Sequence, residues 1–353
     1  MKKFLTFLFL SIVLLVGLIA TPYVGYLALL NWEKRPLHLL QPIEVDVAPG
    51  VSLRLLSAEL QTVGLVDSAL LFQIWVKVRE DYSKFKAGHY RFDNVVTPEI
   101  LARDFRDGNV YEPVVAQVTI PEGWSYAAIA RKAQDVQIGD PSEFSTWFSD
   151  PVLIAELKVP AKTLEGYLFP ATYSFTEIPT SRDFIETCVQ AFWDKLPEKY
   201  EQNVAKLGLS LHDAVTFASL IELETPHDDE RSAVAEVIWN RLKNKVALGI
   251  DASLIYGIEN FDGNIRRSHL DDRDNPYNTR LHRGLPPGPI GSPSLKSLNA
   301  LLEPTQEGYF YYVLDPSTGN RHHFSKSLKE HNKYVQKLIA HQRNLKRVGA
   351  AQQ

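Results

Sequence analysis

Two glutamates near the end of one predicted helix are the residues best suited to acid–base chemistry in this sequence. Ser210 followed by Asp213 has the spacing of a helix N-cap, which predicts a helix over 210–225 that carries Glu222 and Glu224 in its last turn. At 100° per residue the two carboxyl groups lie about 200° apart, so they cannot both point into one small cleft. A carboxyl group shielded by apolar neighbours has a raised pKa and can donate a proton near neutral pH. Helical periodicity does not choose between the two, and both could be ordinary exposed helix residues.

Further polar groups that could bind a ligand follow this helix in the sequence. Asn240 and Arg241 come directly after a helical stretch at 233–239, where they would present an amide and a guanidinium group. Guanidinium groups bind carboxylates through paired hydrogen bonds. An arginine at the C-terminal end of a helix also complements the helix dipole, so Arg241 has a structural interpretation of equal weight. Asp251 is placed to cap a short helix that carries Tyr256.

The composition is that of an ordinary globular protein. Of the 353 residues, 45% are hydrophobic and 23% are charged, which excludes a largely disordered chain. The net charge of −4 argues against a nucleic-acid-binding protein, which would carry a basic face. Cys188 is the single cysteine, and no Cys/His cluster has the spacing of a zinc site. We therefore expect no internal disulfide, no metal and no cofactor.

The N-terminal residues have the features of a membrane anchor. Phe4–Leu30 contains no charged residue and is longer than the roughly 30 Å apolar core of a bilayer requires. Lys2 and Lys3 precede it, so the positive-inside rule places residues 1–3 in the cytoplasm. A cleaved signal peptide is the alternative, but its apolar region would be unusually long. The sequence predicts a transmembrane helix over 4–30 and a charged stalk over 31–43. Aromatic residues suited to the far membrane interface are Tyr23, Tyr26 and Trp32.

Beyond the stalk, a strand that ends in a Pro/Gly turn and leads into a serine-capped helix occurs twice. The two turns lie at 47–52 and 119–125, and each ends in a serine placed to cap the next helix. A further helix is predicted from Thr97, with Gly108 placed to end it, and Lys86–Phe92 is predicted to be a strand. This order of strands and helices resembles LysM, a small module that binds N-acetylated sugars, although a generic α+β subdomain would carry the same caps.

Four short segments later in the sequence resemble one known family. They are Ala218–Thr225, Asn240–Leu242, Asp251–Gly257 and Gly284–Ile290. In this order, behind a single N-terminal membrane segment, they resemble the endolytic murein transglycosylases (MltG-type, YceG-like), which cut peptidoglycan glycan strands at the membrane. The resemblance extends from Ile43 to Leu338, nearly the whole chain outside the predicted membrane segment.

The resemblance implies roles for individual residues. The family motif reads Ala-Ser-Ile-Val/Ile-Glu-x-Glu, and its first glutamate is the catalytic one. That position corresponds to Glu222, which leaves Glu224 as a supporting carboxylate. The candidates for binding substrate are Asn240, Arg241, Asp251, Tyr256, Tyr277, Asn278, Thr279 and His322.

The implied reaction uses one carboxyl group twice. As an acid it protonates the leaving glycosidic oxygen, and as a carboxylate it then accepts the proton of the muramic acid C6 hydroxyl, which closes a 1,6-anhydro ring. The internal nucleophile removes the need for a second carboxylate. Ordinary glycoside hydrolases use two carboxylates about 5 to 10 Å apart, and Asp251 and Asp271 are the candidates for a second one here. A muramidase-type hydrolase and a non-catalytic peptidoglycan-binding scaffold are therefore the alternative functions.

The sequence and the resemblance together predict an α+β protein. Its parts are the transmembrane helix, a LysM-like subdomain over 44–117, a mixed α/β catalytic domain over 118–340 and a charged tail over 341–353. Within the catalytic domain, the aromatic stretch Leu164–Tyr173 is expected either to stack on sugars or to form a buried hairpin. The expected partners are peptidoglycan glycan strands, the cytoplasmic membrane and peptidoglycan synthases. The catalytic domain would lie on the periplasmic side of the inner membrane.

Overall fold

The computed structural model describes residues 20–21, 23–258 and 261–351. It divides into two compact units, Met1–Pro113 and Val114–Gln353. Every described strand pairs in a two-stranded ribbon, and all four ribbons are antiparallel. Helices supply most of the remaining regular structure, which is consistent with the predicted α+β class.

Most of the predicted membrane segment lies outside the described residues. Its described part, residues 20–21 and 23–30, is helical, and the helix continues to residue 32 (α1, residues 23–32). No single helix among the described residues is long and apolar enough to cross a bilayer. Tyr200–Lys206 and Leu211–Glu224 meet the length and composition limits only when the two helices, bent by 88°, are taken together. The transmembrane helix therefore stays a prediction.

The first unit is built on an antiparallel strand pair with two helices inserted between the strands. Its helices and strands after α1 are β1 (Leu37–His38), β2 (Ile43–Val47), α2 (Leu53–Thr62), α3 (Ala69–Arg79), β3 (Gly88–Phe92), β4 (Val95–Val96) and α4 (Pro98–Asp107). β2 pairs with β3 so that Val45 lies opposite Tyr90, and both side chains are buried. Leu56, Phe72 and Phe105 complete the centre of this core.

Local caps set where the helices of the first unit begin and end. The hydroxyl of Ser52 accepts a hydrogen bond from the N–H of Leu55 in α2, and the hydroxyl of Thr97 caps α4 in the same way. Gly108 ends α4 in the left-handed conformation, with φ of +76°, as predicted. The strand predicted from Lys86 begins at Gly88. Glycan binding by this unit stays a prediction.

The second unit is mainly helical. Its helices and strands are β5 (Ala116–Thr119), α5 (Tyr126–Asp135), α6 (Pro141–Trp147), α7 (Pro151–Glu156), β6 (Thr172–Phe175), α8 (Ser181–Lys195), α9 (Tyr200–Lys206), α10 (Leu211–Glu224), α11 (Arg231–Lys243), α12 (Asp251–Tyr256), α13 (Arg267–Leu270), α14 (Leu295–Ala300), β7 (Tyr311–Asp315), β8 (Arg321–Ser325) and α15 (Leu328–Ala351). α10 lies at the centre, in contact with α9, α11, α12 and α14. The reciprocal hydrogen bonds of Ser210 and Asp213 fix its start, which confirms the predicted cap.

For the later part of the chain the sequence predicts a helix over 227–244, a hairpin of two strands at 309–314 and 321–324, and a last helix from Ser327. β7 and β8 form the predicted hairpin, with Tyr311 opposite Ser325. The helix predicted from His227 begins at Arg231 instead, because residues 228–230 form a separate 3₁₀ turn. The last helix, α15, packs on the hairpin.

The aromatic stretch Leu164–Tyr173 belongs to the core and forms no exposed platform for sugars. Tyr167 is fully buried, and its ring lies 5.2 Å from that of Phe192. Tyr173 is buried in β6, which pairs with β5. The structure therefore supports burial over stacking on sugars, but the predicted hairpin is wrong, because β6 pairs with the distant strand β5.

A buried ion pair joins α10 to α11 and α14. Oε1 of Glu222 lies 2.9 Å from Nη1 of Arg231, and both side chains are only 4% exposed. Oε2 of Glu222 accepts hydrogen bonds from the backbone N–H of Ser294, at 2.8 Å, and from its hydroxyl, at 2.5 Å. Ser294 caps α14, and Arg231 also donates to Ser297 in that helix. The Glu222 carboxylate therefore has a structural partner on each oxygen.

We expect Glu222→Gln to lower the free energy of unfolding by up to about 3–5 kcal/mol, because it removes the one buried carboxylate beside the guanidinium of Arg231 and leaves only two half-exposed ones, Asp228 and Glu122. Urea unfolding of the full chain would measure the loss in the transition of the second unit. Lys296→Ala is the control: it removes an exposed pair with Asp228 and should cost less than about 1 kcal/mol. Equal losses in the two variants would contradict the role of the buried pair.

A second carboxyl group, that of Glu165, is buried between α5 and α12. One of its oxygens accepts a hydrogen bond from the N–H of Tyr126, at 2.9 Å, and the other from the hydroxyl of Tyr256, at 2.8 Å. Burial outweighs these hydrogen bonds and raises the pKa of Glu165 to about 7. The folded protein therefore holds a proton on Glu165 that the unfolded chain would release.

This raised pKa predicts that Glu165 contributes a loss of stability to the second unit as the pH rises from about 4.5 to about 7. In that range the folded state binds more protons than the unfolded state, so the free energy of unfolding falls with increasing pH. Glu165→Gln keeps a neutral group at this position and should flatten the dependence. Urea unfolding near the two ends of the range would test this, and an unchanged slope in the variant would refute it.

Candidate active site

A cleft of about 910 Å³ opens in the second unit where α10 ends. Glu224, the last residue of α10, lines it. The other polar or charged residues on its walls are Arg241, Asp251, Arg280, Tyr312, Asn320, His322 and His331. The volume is that of a small-molecule site. Within the described part of the chain, no group of three His, Cys, Asp or Glu side chains is arranged to hold a metal.

The carboxyl group of Glu224 has the environment of a proton donor. Burial raises the pKa of Glu224 to about 7, and the nearby charge of Asp251 acts in the same direction. A hydrogen bond from Tyr312 and the charges of Arg241 and Arg280 oppose the rise without cancelling it. Glu224 is therefore neutral in a large fraction of molecules near pH 7 and still faces the cleft.

Glu222 is in a different environment. Its oxygens are taken by Arg231 and Ser294, and its side chain is not among those that line the cleft. The two carboxyl groups lie on different sides of α10, as their spacing predicted. The resemblance placed the acid at Glu222, but the surroundings favour Glu224, because only Glu224 combines a raised pKa with access to the cleft.

Arg241 lines the cleft, but two of its nitrogens donate hydrogen bonds to backbone carbonyls. Nε donates to the carbonyl of Phe310 at 2.8 Å, and Nη1 donates to the carbonyl of Leu248 at 2.5 Å. The neighbouring Asn240 donates its amide to the carbonyl of Tyr309 and does not line the cleft. These residues fix the chain that leads into β7, so Asn240 has a structural role and Arg241 contributes charge to the cleft wall.

Asp251 is the first residue of α12 and does not cap it as predicted, and its side chain lies in the cleft as part of an ion pair. Its Oδ1 is 2.5 Å from Nη2 of Arg280 and 3.1 Å from Nε of the same side chain. Both side chains are about half exposed. The pair therefore places one negative and one positive group on the cleft wall, where both are accessible to a ligand.

His322 lines the cleft and is held from behind by a buried carboxylate. Its Nδ1 lies 2.8 Å from Oε2 of Glu230, and its backbone N–H donates to Oε1 at 2.9 Å. Thr225, the residue after Glu224, donates its hydroxyl to the same carboxylate. Burial acts to raise the pKa of Glu230, but these hydrogen bonds lower it below its ordinary value. Glu230 thus orients the His322 ring beside the end of α10.

Four other predicted binding residues do not line the cleft. Asn278 and Thr279 are buried, and they serve loop structure: the amide of Asn278 donates to three backbone carbonyls, and Thr279 accepts from the N–H of Ile250. Tyr256 donates to Glu165, and its ring packs 4.8 Å from that of Tyr277. The structure therefore brings Arg241, Asp251 and His322 together with Glu224 and leaves the others outside.

Tyr312 and Arg280 also line the cleft, although neither was predicted from the sequence. Tyr312 could have been found from the predicted hairpin, because Leu314 pairs with His322 and side chains two residues apart in a strand share a face. Burial raises the pKa of Tyr312 well above its ordinary value, so its hydroxyl keeps its proton and can donate to Glu224. Nothing in the local sequence indicates that Arg280 reaches Asp251.

Comparison with known proteins finds relatives in two organisms that have the same protein name. A protein of Streptococcus pneumoniae serotype 2 (strain D39 / NCTC 7466), named endolytic murein transglycosylase, is 29% identical in an alignment of 321 positions that covers 83% of this chain and 58% of the relative. A Bacillus subtilis (strain 168) protein of the same name is 30% identical in an alignment of 327 positions that covers 86% of this chain and 88% of the relative. The chain thus spans little more than half the length of the pneumococcal relative.

Structure and sequence profile agree with these relatives. The 2.6 Å crystal structure of a yceG-like protein from Listeria monocytogenes has a TM-score of 0.56 to this structure at 29% identity, and the match covers 83% of this chain and 98% of that one. Residues 45–337 match the profile of the YceG-like family. Because this match covers far more than half of the sequence, the chain belongs to the YceG-like family.

Proposed function

We propose that this protein is a membrane-anchored lytic transglycosylase that cleaves peptidoglycan glycan strands. The observation that carries the proposal is the carboxyl group of Glu224, which has a pKa of about 7 and lines a cleft of about 910 Å³. The relatives named endolytic murein transglycosylase support the choice of peptidoglycan as substrate. The bond cleaved is the β-1,4 bond between MurNAc and GlcNAc, within a strand.

Glu224 is the catalytic acid in this proposal, in place of Glu222. In the first step, neutral Glu224 donates its proton to the glycosidic oxygen as the bond from that oxygen to C1 breaks. In the second, the Glu224 carboxylate accepts the proton of the C6 hydroxyl while that oxygen forms a bond to C1. The product is a 1,6-anhydro-MurNAc end, and Glu224 is protonated again. One carboxyl group suffices because the nucleophile belongs to the substrate.

The neighbours of Glu224 suit both halves of this cycle. Burial keeps the proton on Glu224 before cleavage, and the positive charges of Arg241 and Arg280 stabilise the carboxylate that forms when the proton leaves. Tyr312 donates a hydrogen bond that fixes the orientation of the carboxyl group. His322, held by Glu230, is available to hydrogen-bond the sugar on the adjacent wall.

A muramidase-type hydrolase is the second candidate, because Asp251 lines the same cleft and could serve as the second carboxylate. The ion pair with Arg280 engages only Oδ1 of Asp251, so Oδ2 is available to a water molecule in that reaction. Mass spectrometry of peptidoglycan digested by the full chain separates the candidates. Anhydro ends indicate a transglycosylase, reducing ends a hydrolase, and uncut strands a non-catalytic scaffold.

Cellular placement is the remaining part of the proposal. The charge-free segment Phe4–Leu30 after Lys2 and Lys3 favours a single-pass protein of the inner membrane with its N-terminus in the cytoplasm. The catalytic unit would then work on the periplasmic side, on strands that emerge beside peptidoglycan synthases. Tethering keeps the acid close to new strands and would direct it to trimming or terminating them.

We expect Glu224→Gln to reduce formation of anhydro ends by roughly 10²- to 10⁴-fold, the usual contribution of general acid–base catalysis. The amide preserves the size of the side chain and is neutral, as the acid largely is near pH 7. The variant should therefore fold as the parent does. The assay is mass spectrometry of anhydro products at limiting enzyme.

Glu222→Gln is the matched control for this prediction. It should lose stability through Arg231, but its amide has the same size and can still accept from Ser294, so in folded molecules α10 should stay in place and most of the activity should remain. The reverse pattern, with Glu222 essential and Glu224 dispensable, would return the acid to the position implied by the family motif. Full activity in both variants would contradict the proposed mechanism.

The raised pKa also predicts the pH profile. The rate constant kcat/KM should fall above about pH 7, because a general acid must be protonated in the free enzyme. Tyr312→Phe removes a hydrogen bond that stabilises the Glu224 carboxylate, so the pKa should rise and the alkaline limb should move to higher pH. Tyr256→Phe is the control, since Tyr256 contacts Glu165 instead. If the alkaline limb moved only in the Tyr256→Phe variant, the titration would belong to a group other than Glu224.

A further inference from the structure

Helix α3 of the first unit has a second apolar face that no described part of the chain covers. Its first face, with Phe72, Trp75 and Val76, is buried in the core. Leu70, Leu71, Ile74 and Val78 are 38–65% exposed. At 100° per residue these four exposed side chains fall within an arc of about 100°. Apolar residues in such numbers on the solvent side of a helix mark an interaction surface.

This exposed face lies directly beside the last turns of the predicted membrane segment. Leu71, Ile74 and Val78 line one open groove together with Gly25, Tyr26 and Leu29 of α1. Behind the groove, Trp75 and Arg79 of α3 both reach the carboxylate of Glu33, just after α1, and Arg79 also contacts the hydroxyl of Tyr26. α3 is therefore fixed against α1, and its exposed face stands at the level of residues 25–29.

The position of α1 determines the level of that face relative to a bilayer. Residues 25–29 belong to the segment predicted to enter the membrane, and Tyr23 and Tyr26 have the residue type that settles at the interface. Four residues of helix span about 6 Å, which is within the 5–10 Å depth that interfacial helices reach. Lys77 borders the apolar arc and Lys34 follows α1, and neither forms an ion pair with a described residue. Lysines at the edge of an interfacial helix are attracted to anionic lipid headgroups.

We propose that α3 lies in the bilayer interface, with Leu70, Leu71, Ile74 and Val78 inserted among lipid headgroups and upper acyl chains. The first unit then contacts the membrane at two places, the anchor and this helix. A single spanning helix would let the chain swivel, whereas two contacts fix how the first unit faces the lipid. The inference rests on the membrane anchor of the proposed function, and it would hold whatever reaction the second unit catalyses.

Lipid-positioned quenching in the full chain tests the proposal. Ile74→Cys and Val78→Cys would each carry an environment-sensitive fluorophore, while native Cys188 is buried and should take up little label. The labelled chains are placed in nanodiscs of phosphatidylethanolamine and phosphatidylglycerol that contain lipids spin-labelled near the headgroup. Val152→Cys is the control, an apolar residue of the second unit that is 62% exposed. We expect quenching several-fold stronger at positions 74 and 78 than at 152, with protection from iodide in the water.

Each other outcome overturns the proposal in a recognisable way. Equal quenching at the three positions, with full access to iodide, would mean that the face is free. Protection from iodide without lipid quenching would mean that protein covers it: a second copy if the protection depends on the number of chains in each disc, and the undescribed N-terminal residues if it does not. Flotation of the unlabelled full chain with vesicles tests the anchor separately, so failure of the anchor can be told from failure of the α3 contact.

Discussion

The buried ion pair between Glu222 and Arg231 is the contact on which the geometry of the cleft depends. A charged group with so little exposure cannot be separated from its partner without a large cost, so α10 can neither rotate nor slide against α11 and α14. The cap of α14 adds to this, because Ser294 donates to the same carboxylate. With one face of α10 locked in this way, the residue two positions later is directed to the other side, into the cleft.

The two glutamates in the last turn of α10 therefore differ in how well their surroundings stabilise a negative charge. Glu222 has full compensation for its charge, and it stabilises the fold. Glu224 lacks such compensation, so burial favours its neutral form and the folded state gives up stability whenever it ionises. The hydrogen bond from Tyr312 and two nearby arginines limit that loss. A buried carboxyl group with few partners for its charge destabilises the fold when it ionises, but its raised pKa suits proton transfer. The structural role and the proposed proton-transfer role therefore belong to two different glutamates.

Local signals in the sequence were enough to predict the helices and strands named below, but not to choose between Glu222 and Glu224 as the proposed acid. The caps at Ser52, Thr97 and Ser210 and the β7–β8 hairpin follow from residues close together in the chain, and the structure contains them. The 200° separation of the two glutamates also followed from helix geometry. What distinguishes Glu222 from Glu224 is contact with Ser294 and Tyr312, many residues away. For the same reason Asn278, which looked like a binding residue, proved to hold its own loop.

The C-terminal helix has a consequence for the order in which this protein can assemble. His331, Val335 and Leu338 of α15 form part of the cleft wall, although α10 and α15 are far apart in sequence. Contacts between such distant segments close late in folding, because a long loop must be ordered first. During synthesis α10 can pack with α11 and α14 before α15 has left the ribosome, but the cleft is then still missing a side. A chain interrupted in translation would carry Glu224 exposed to water, without the enclosed cleft around it.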